Sequence, residues 1–159
     1  MSAKFEVVEY PAVTLIGLNA DFYGGMSPKF NGKEVLGPLW GKVHQLLIAS
    51  GIDRKNMIGA TRTADSREEG LLNHFVGAVV SEVPDELNGL EVLELPAMKL
   101  ATMEHHGTMD GLIASIQKFY GQALPEQGCV RDGDWHLEIY DERYNDGDSS
   151  VMLIAVPIA

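Results

Sequence analysis

Two similar successions of secondary-structure signals follow one another along this chain, and they limit its fold more than any other feature. Each has a β-rich run after a proline, a stretch with helical periodicity, and two more β-rich runs that end at a proline. Leu39 and Leu112, on the two predicted helices, are 73 positions apart, and so are Pro84 and Pro157. The shared spacing predicts a duplicated β-α-β-β unit.

The individual elements are predicted from the period of their apolar residues. Apolar side chains at helical spacing predict one helix in each half, and β-rich runs predict three strands in each half. The helical stripes are Leu36, Leu39, Trp40, Val43 and Leu47 in the first half, and Leu112, Ile113, Ile116, Phe119 and Tyr120 in the second. The strands are predicted at residues 12–18, 56–61, 73–80, 97–103, 136–140 and 151–156.

The two halves are expected to form one domain over residues 1–159, with half-units at about 5–84 and 96–158. Each half alone would leave an apolar sheet face poorly covered, which favours joining them. We therefore predict an α+β fold, with an antiparallel sheet, two helices on one face and a ligand groove on the other. The alternative is an α+β sandwich in which the periodicity arises by chance.

The strand predicted at residues 136–140 carries a carboxylate in the middle of an apolar and aromatic run. Because side chains alternate along a strand, Glu138 shares one face with His136 and Tyr140, and Leu137 shares the other with Ile139. On an exposed sheet the first face would be an ordinary polar surface. In a groove, a carboxylate beside an aromatic hydroxyl suits an organic cation or a polarised water.

The charge balance argues against direct contact with nucleic acid. The chain has 23 acidic and 12 basic residues, for a net charge of −11, and it lacks the basic stripe of a nucleic-acid-binding protein. Its single cysteine, Cys129, excludes an internal disulfide and fits a reducing cytoplasm. No apolar run is long enough to cross a membrane, and no signal core is present, so we expect a cytoplasmic protein.

The histidines and acidic turns predict no metal site, and no motif predicts a cofactor. His105 and His106 are adjacent on a predicted strand and would point to opposite faces, so we expect surface histidines there. The acidic stretch at residues 141–148 lacks the spacing of a calcium loop and is typical of a hairpin turn.

A long connection is predicted between Asn19 and Pro38, and it has no counterpart in the second half. Its glycines and its aromatic residues Phe22, Tyr23 and Phe30 are typical of a lid that closes over an apolar ligand. The alternative is a surface loop whose aromatic side chains pack on the domain.

Three segments together resemble the GyrI-like small-molecule (effector) binding domain family. They are the opening run at residues 11–17, Leu39-Trp40 at the start of the first predicted helix, and the LEIY strand at residues 137–140. The resemblance covers about residues 5–158. Such domains occur alone and as the ligand-sensing half of multidrug-responsive transcription activators. The chain has no helix-turn-helix signal before its first predicted strand, which favours the stand-alone form.

The resemblance implies a groove that accepts hydrophobic, often cationic, aromatic compounds, for sensing or sequestration of drugs or toxins. The family's groove carboxylate matches Glu138, and Trp40 matches an aromatic wall more loosely. A bound cation favours the ionised carboxylate, so we expect binding to strengthen as the pH rises. The predicted ligand-binding residues are Glu138, Tyr140, Trp40, Phe75, Tyr23, Phe22 and His136.

Two other functions stay open beside binding. Some GyrI-like proteins are hydrolases that open strained cyclopropane rings of alkylating natural products. By that resemblance Glu138 would be the general base and Tyr140 a donor to the developing oxyanion. Alternatively, the acidic surface would contact a protein partner, a regulator or gyrase. We favour small-molecule binding without a membrane or nucleic-acid partner.

Overall fold

Eight antiparallel strands and two helical segments make up the computed structural model, which describes residues 4–25, 27–145 and 147–159. The strands are β1 (Phe5–Tyr10), β2 (Val13–Tyr23), β3 (Met57–Thr63), β4 (Leu71–Val80), β5 (Glu91–Leu95), β6 (Met98–His106), β7 (His136–Tyr140) and β8 (Val151–Pro157). This architecture confirms the predicted α+β class.

The two helical segments differ in regularity. The first is the helix α1 (Gly32–Ala49). The second, at residues 109–126, changes its winding along its length. It is a 3₁₀ turn (Met109–Gly111), then α2 (Leu112–Lys118), a π-helical turn (Phe119–Ala123) and α3 (Leu124–Glu126). We call it the second helical segment. Short π-helical turns of this kind are frequent at functional sites.

The chain divides into two compact units. The central unit is Val13–Leu95, and the terminal unit combines the stretch up to Ala12 with Pro96–Ala159. Strand order is β3-β4-β2-β5 in the central unit and β1-β6-β8-β7 in the terminal unit. Each unit contains one β-α-β-β succession, as the duplicated pattern predicted, and adds one strand to it.

The added strands β1 and β5 were not predicted. β1 pairs with β6, with Phe5 opposite Met103, so the beginning of the chain belongs to the terminal unit. β5 pairs with β2 along one edge of the central unit. Both are short edge strands with several exposed residues, and such strands need no continuous apolar pattern. Neither sequence shows the regular alternation of apolar and polar residues by which a half-buried strand is recognised.

The central unit packs α1 on its strands. Leu39, Val43 and Leu47 are buried along one stripe of the helix, as their spacing predicted. The helix begins at Gly32, which corrects the expectation that it starts near Trp40. Trp40 lies in the middle of the helix, so the helix and not a loop holds its side chain.

The predicted lid is wrong in its first part. β2 continues through Phe22 and Tyr23, which pair with β4, and the connection to α1 is only residues 24–31. Phe22 is 8% exposed and belongs to the core, whereas Phe30 is 47% exposed. Met26 of the predicted lid lies outside the described residues. The first strand was predicted to end at residue 18, but the β2–β4 ladder extends to Tyr23.

Candidate functional site

Glu138 lies in the middle of β7, on the side of the terminal unit's sheet that bears the second helical segment. Across the sheet, Glu138 pairs with Ile154 on β8, and Ile154 pairs in turn with Met103 on β6. Met103 pairs with Phe5 on β1. Residues opposite each other in an antiparallel pair share a side of the sheet. The Phe5 ring contacts Phe119 of the helical segment, with the ring centroids 6.2 Å apart.

This placement differs from our expectation that Glu138 faces away from the helices. Alternation shows correctly that Glu138, His136 and Tyr140 share a side and that Leu137 and Ile139 share the other. It does not tell which side the helix covers, since both sides of β7 carry buried residues. That choice is made by packing with distant residues.

Glu138 is partly enclosed and accepts a hydrogen bond from its strand neighbour. Its side chain is 15% exposed. The hydroxyl of Tyr140 donates to Oε1 of Glu138 over 3.0 Å, and Nε2 of His136 lies 3.6 Å from Oε2. Burial, together with the charge and hydrogen bond of Glu138, raises the pKa of Tyr140 well above its ordinary value. Tyr140 therefore stays a neutral phenol that donates to the carboxylate.

The second helical segment contacts this group through Tyr120, in its π-helical turn. The Tyr120 hydroxyl lies 2.6 Å from Nδ1 of His136, and the two rings stack with centroids 5.8 Å apart. Arg131 lies over Tyr120, with its guanidinium carbon 5.4 Å from the ring centroid. Arg131 also donates to the backbone carbonyls of Asp134 and Trp135, just before β7. The segment that leads into β7 is thereby tied to Tyr120.

Two aromatic residues of this site were missed as site residues by the sequence analysis. Tyr144 packs edge-on against Tyr140, with centroids 4.9 Å apart. Tyr120 was assigned only to the apolar stripe of its helix. No local signal marks either one, because their positions depend on a turn after β7 and on the π-helical turn. We call the group Tyr120, His136, Glu138, Tyr140 and Tyr144 the carboxylate cluster.

The central unit holds a separate aromatic group around Trp40. The Trp40 ring has two histidine neighbours, His44 and His74, with ring centroids 6.1 and 6.2 Å away. His74 is 3% exposed, its Nδ1 lies 2.8 Å from Oγ1 of Thr61, and the Phe22 ring meets it edge-on at 6.1 Å. The structure thus places the predicted residues Trp40 and Phe22 around a buried histidine that had no assigned role.

Phe75 and Tyr23 do not join the Trp40 group. Phe75 follows His74 on β4 and therefore points to the other side of the central sheet, where it is 5% exposed. Tyr23 is on that same side, and its hydroxyl donates to Glu68. The nitrogen of Lys29 lies 5.3 Å from the Tyr23 ring centroid. Phe75 and Tyr23 are therefore on the opposite side of the central sheet from His74, although they had been predicted to line the same groove as Trp40.

A cavity of about 440 Å³ opens on the side of the terminal sheet opposite Glu138. Arg143 at its wall donates to Glu104 over 2.9 Å and to Asp141 over 3.1 Å. Burial alone would raise the pKa of Glu104, but hydrogen bonds from Arg143 and His106 lower it. The polar lining is thus largely paired. It includes Glu6, Tyr10, Thr102, Glu104 and Arg143, with Ile139 among the apolar residues.

His105 corrects one expectation and His106 confirms another. His105 is 3% exposed, with Nδ1 2.7 Å from Oγ of Ser115 and Nε2 2.8 Å from the carbonyl oxygen of Thr108. It is a buried link between β6 and the second helical segment, not a surface histidine. His106 is 49% exposed and pairs with Glu104 over 3.0 Å. Adjacent strand residues point to opposite sides, and the segment packs on only one of them.

In the part of the chain that the structure describes, no group of three or more His, Cys, Asp or Glu side chains could hold a metal ion. Within that same part, no helix is long and apolar enough to cross a membrane.

Three solved structures illustrate the proteins to which this fold is similar. The first is SAV2435 bound to tetraphenylphosphonium, with a TM-score of 0.73, 12% identity, and coverage of 98% of this chain and 94% of that one. The second is a hydrolase from Listeria innocua, with a TM-score of 0.55, 10% identity, and coverage of 98% and 92%. The third is EcmrR in complex with DNA, with a TM-score of 0.61, 15% identity, and coverage of 99% and 58%.

Comparison with curated proteins found no match. The model of the GyrI-like small-molecule-binding domain matches residues 3–159, nearly the whole chain. The chain therefore belongs to the GyrI-like small-molecule-binding domain family.

Proposed function

We propose that this protein binds hydrophobic organic cations, with Glu138 as the group that recognises the positive charge. The observation that carries the proposal is the position of Glu138, 15% exposed and hydrogen-bonded to the neutral phenol of Tyr140. A carboxylate in such surroundings has lost most of its hydration, and a cation without strong hydration of its own would compensate for that loss. The role would be sensing or sequestration of the compound.

The aromatic residues around Glu138 support a ligand with aromatic groups. Tyr140 contacts the carboxylate directly. Tyr120 contacts His136 and Tyr144 contacts Tyr140, and both of these partners are next to Glu138. An aromatic face contributes about 0.5–2 kcal/mol to binding of a nearby cation, depending on how far the contact is desolvated. The tetraphenylphosphonium bound by SAV2435 combines a shielded positive charge with aromatic rings. We extend that ligand chemistry to this chain as part of the proposal.

Trp40 is half-buried in the central unit, next to His74, whereas Phe22, which also contacts His74, is in the core. We propose Trp40 as a ligand contact in that unit. Phe75 and Tyr23 were also predicted to bind the ligand, but they are weaker candidates because they are on the other side of the central sheet.

Ring-opening hydrolysis is the second candidate function, and its support is a fold similar to a hydrolase from Listeria innocua. In that case Glu138 would activate a water as general base. Tyr140 would have to turn its hydroxyl from Glu138 to the developing oxyanion. In the structure that hydroxyl donates to Glu138 itself. The observed hydrogen bond therefore favours binding over turnover.

The test is a titration of the purified protein with tetraphenylphosphonium at about pH 8, where a carboxylate is ionised. We expect saturable binding, and we expect Glu138→Gln to weaken it by about tenfold or more, because the cation loses its counter-charge in a poorly hydrated site. Triphenylphosphine oxide, a neutral aromatic compound, should be much less affected by the substitution. Equal binding of the cation by wild type and Glu138→Gln would refute the role of Glu138.

Glu142→Gln is the matched control, because it removes one negative charge from an exposed residue near the same strand. It should bind tetraphenylphosphonium like the wild type. Mass analysis of a strained-ring electrophile incubated with wild type and Glu138→Gln tests the second candidate. A hydrated product that forms only with the wild type would establish an enzyme, and unchanged compound would leave the binding function.

A further inference from the structure

His136 presents a ring nitrogen to the same carboxylate that a bound cation would meet. Its Nε2 lies 3.6 Å from Oε2 of Glu138, and the two side chains are 16% and 15% exposed. Its other nitrogen, Nδ1, lies 2.6 Å from the hydroxyl of Tyr120, and the two rings are stacked. The imidazole is therefore held between a phenol and a carboxylate.

The hydrogen bond to Tyr120 determines whether Nε2 of His136, the nitrogen that faces Glu138, carries a hydrogen. Burial raises the pKa of Tyr120, Arg131 acts in the opposite direction, and Glu138 adds to the rise. The phenol thus stays protonated at neutral pH. When its O–H donates to Nδ1, the hydrogen of the neutral imidazole is on Nε2, toward Glu138. When the imidazole gains a proton, Nδ1 becomes the donor to Tyr120, and a full cation faces the carboxylate.

The groups that face His136 in the terminal unit come from its own strand, the second helical segment and β8. On its own strand, Glu138 faces it and Tyr140 donates to Glu138. From the second helical segment Tyr120 faces it, and Arg131 lies beyond the Tyr120 ring. The neighbouring strand β8 presents Met152, Ile154 and Val156 on this side of the sheet. Glu138 is thus the negative group next to His136 among these described neighbours.

We propose that His136 is a specificity-determining residue, whose protonated ring competes with an organic cation for Glu138. The inference rests on the proposed function of Glu138. When the cation binds, the imidazolium of His136 gives its proton to the solvent, and the ligand supplies the positive charge in its place. A neutral ligand does not replace that charge and leaves the proton where it is. The site therefore selects for cations at neutral pH and loses that preference in acid.

The direction of the pH dependence follows from the competition. Where His136 is neutral the cation binds without competition, and where His136 is protonated each bound cation must displace a proton. Displacement of one proton per cation lowers the affinity by up to about tenfold per pH unit, so affinity for tetraphenylphosphonium should fall between about pH 7.5 and pH 5.5. Affinity for triphenylphosphine oxide should stay nearly constant over the same range.

The experiment compares wild type, His136→Asn and Glu138→Gln by calorimetric titration with both compounds. Asn keeps an acceptor for the Tyr120 hydroxyl and removes the nitrogen that faces Glu138. We expect His136→Asn to bind the cation equally well at about pH 7.5 and pH 5.5. Repeating the wild-type titration in two buffers of different ionisation enthalpy counts the protons released. Near pH 6 that number should be a measurable fraction of one per cation and zero per neutral compound.

The proton count needs no variant, so the proposal stays testable if His136→Asn does not fold. Equal pH dependence in wild type and His136→Asn, or cation binding without proton release near pH 6, would overturn the role of His136 and leave the role of Glu138 intact. If the wild type binds no cation even at about pH 8, the proposed function and this inference both fail. Loss of binding in Glu138→Gln at high pH, with normal proton release in the wild type, supports both.

Discussion

The hydroxyl of Tyr140 donates to the carboxylate of Glu138 over 3.0 Å, and the two residues are two positions apart on one strand. Their side chains share a side of the sheet because of the strand's period, and the hydrogen bond forms where both are largely buried. The bond holds the carboxylate in one orientation before any ligand arrives. A preorganised charge of this kind is a reasonable basis for recognising a cation.

Removing this hydrogen bond should cost more stability when its partner is charged than when it is neutral. We expect Tyr140→Phe to lower the free energy of unfolding by about 1.5–3 kcal/mol at neutral pH, since hydrogen bonds to charged groups are worth about that much. In Glu138→Gln the same substitution should cost less. Urea denaturation of the two single variants and the double variant measures the coupling, and additive effects would contradict the assigned bond.

Gly59 lies where any side chain would meet the Trp40 group. A Cβ atom there would be 2.9 Å from Cε1 of His74 and 3.3 Å from Cζ2 of Trp40. Gly59→Ala should therefore displace these rings and lower the free energy of unfolding by about 1–3 kcal/mol. Gly41→Ala is the control: its Cβ meets nothing within 4 Å, and alanine in a helix should stabilise by up to about 1 kcal/mol. Tryptophan fluorescence should shift only in the Gly59 variant.

His105 links the second helical segment to β6, whereas its neighbour His106 is exposed. His105→Ala leaves Ser115 without its partner and opens a cavity, so we expect a loss of about 2–4 kcal/mol in the free energy of unfolding. His106→Ala should stay within about 0.5 kcal/mol of the wild type. Chemical denaturation followed by circular dichroism compares them, and similar effects would show that His105 has no special structural role.

The Arg143 ion pairs should make stability depend on pH in acid. Burial acts to raise the pKa of Glu104 and that of Asp141. Hydrogen bonds from Arg143 outweigh this effect, and both pKa values are lowered in the folded state. Their contribution is present above the unfolded-state pKa values and is lost as the pH falls through the lower folded-state values. Arg143→Gln should cost about 0.2–1 kcal/mol at neutral pH, because Arg143 is 43% exposed.

That difference between wild type and Arg143→Gln should shrink as the pH falls from about 5 to about 3. Unfolding curves at several pH values measure it, with Arg54→Gln as a control variant from the central unit. A difference that grows in acid would contradict the assigned pairing.

Much of the fold was predictable because it depends on local period. The stripe Leu39, Val43 and Leu47 marks α1, and the order of the elements in each unit follows the repeated pattern. The strands β1 and β5 were missed, since an edge strand with exposed acidic residues has no such period. The lid was misplaced because the β2–β4 ladder, and not the composition of the segment, decides where β2 ends.

The sequence by itself determined that Glu138, His136 and Tyr140 share one side of a strand, because alternation is a property of the extended backbone. Only the tertiary structure decided that this side bears the second helical segment and brings Tyr120 to His136. It also separated Phe75 from Trp40, although both had been assigned to one site. Register and packing join residues far apart in the chain, and no local pattern encodes which of two apolar sides a helix will cover.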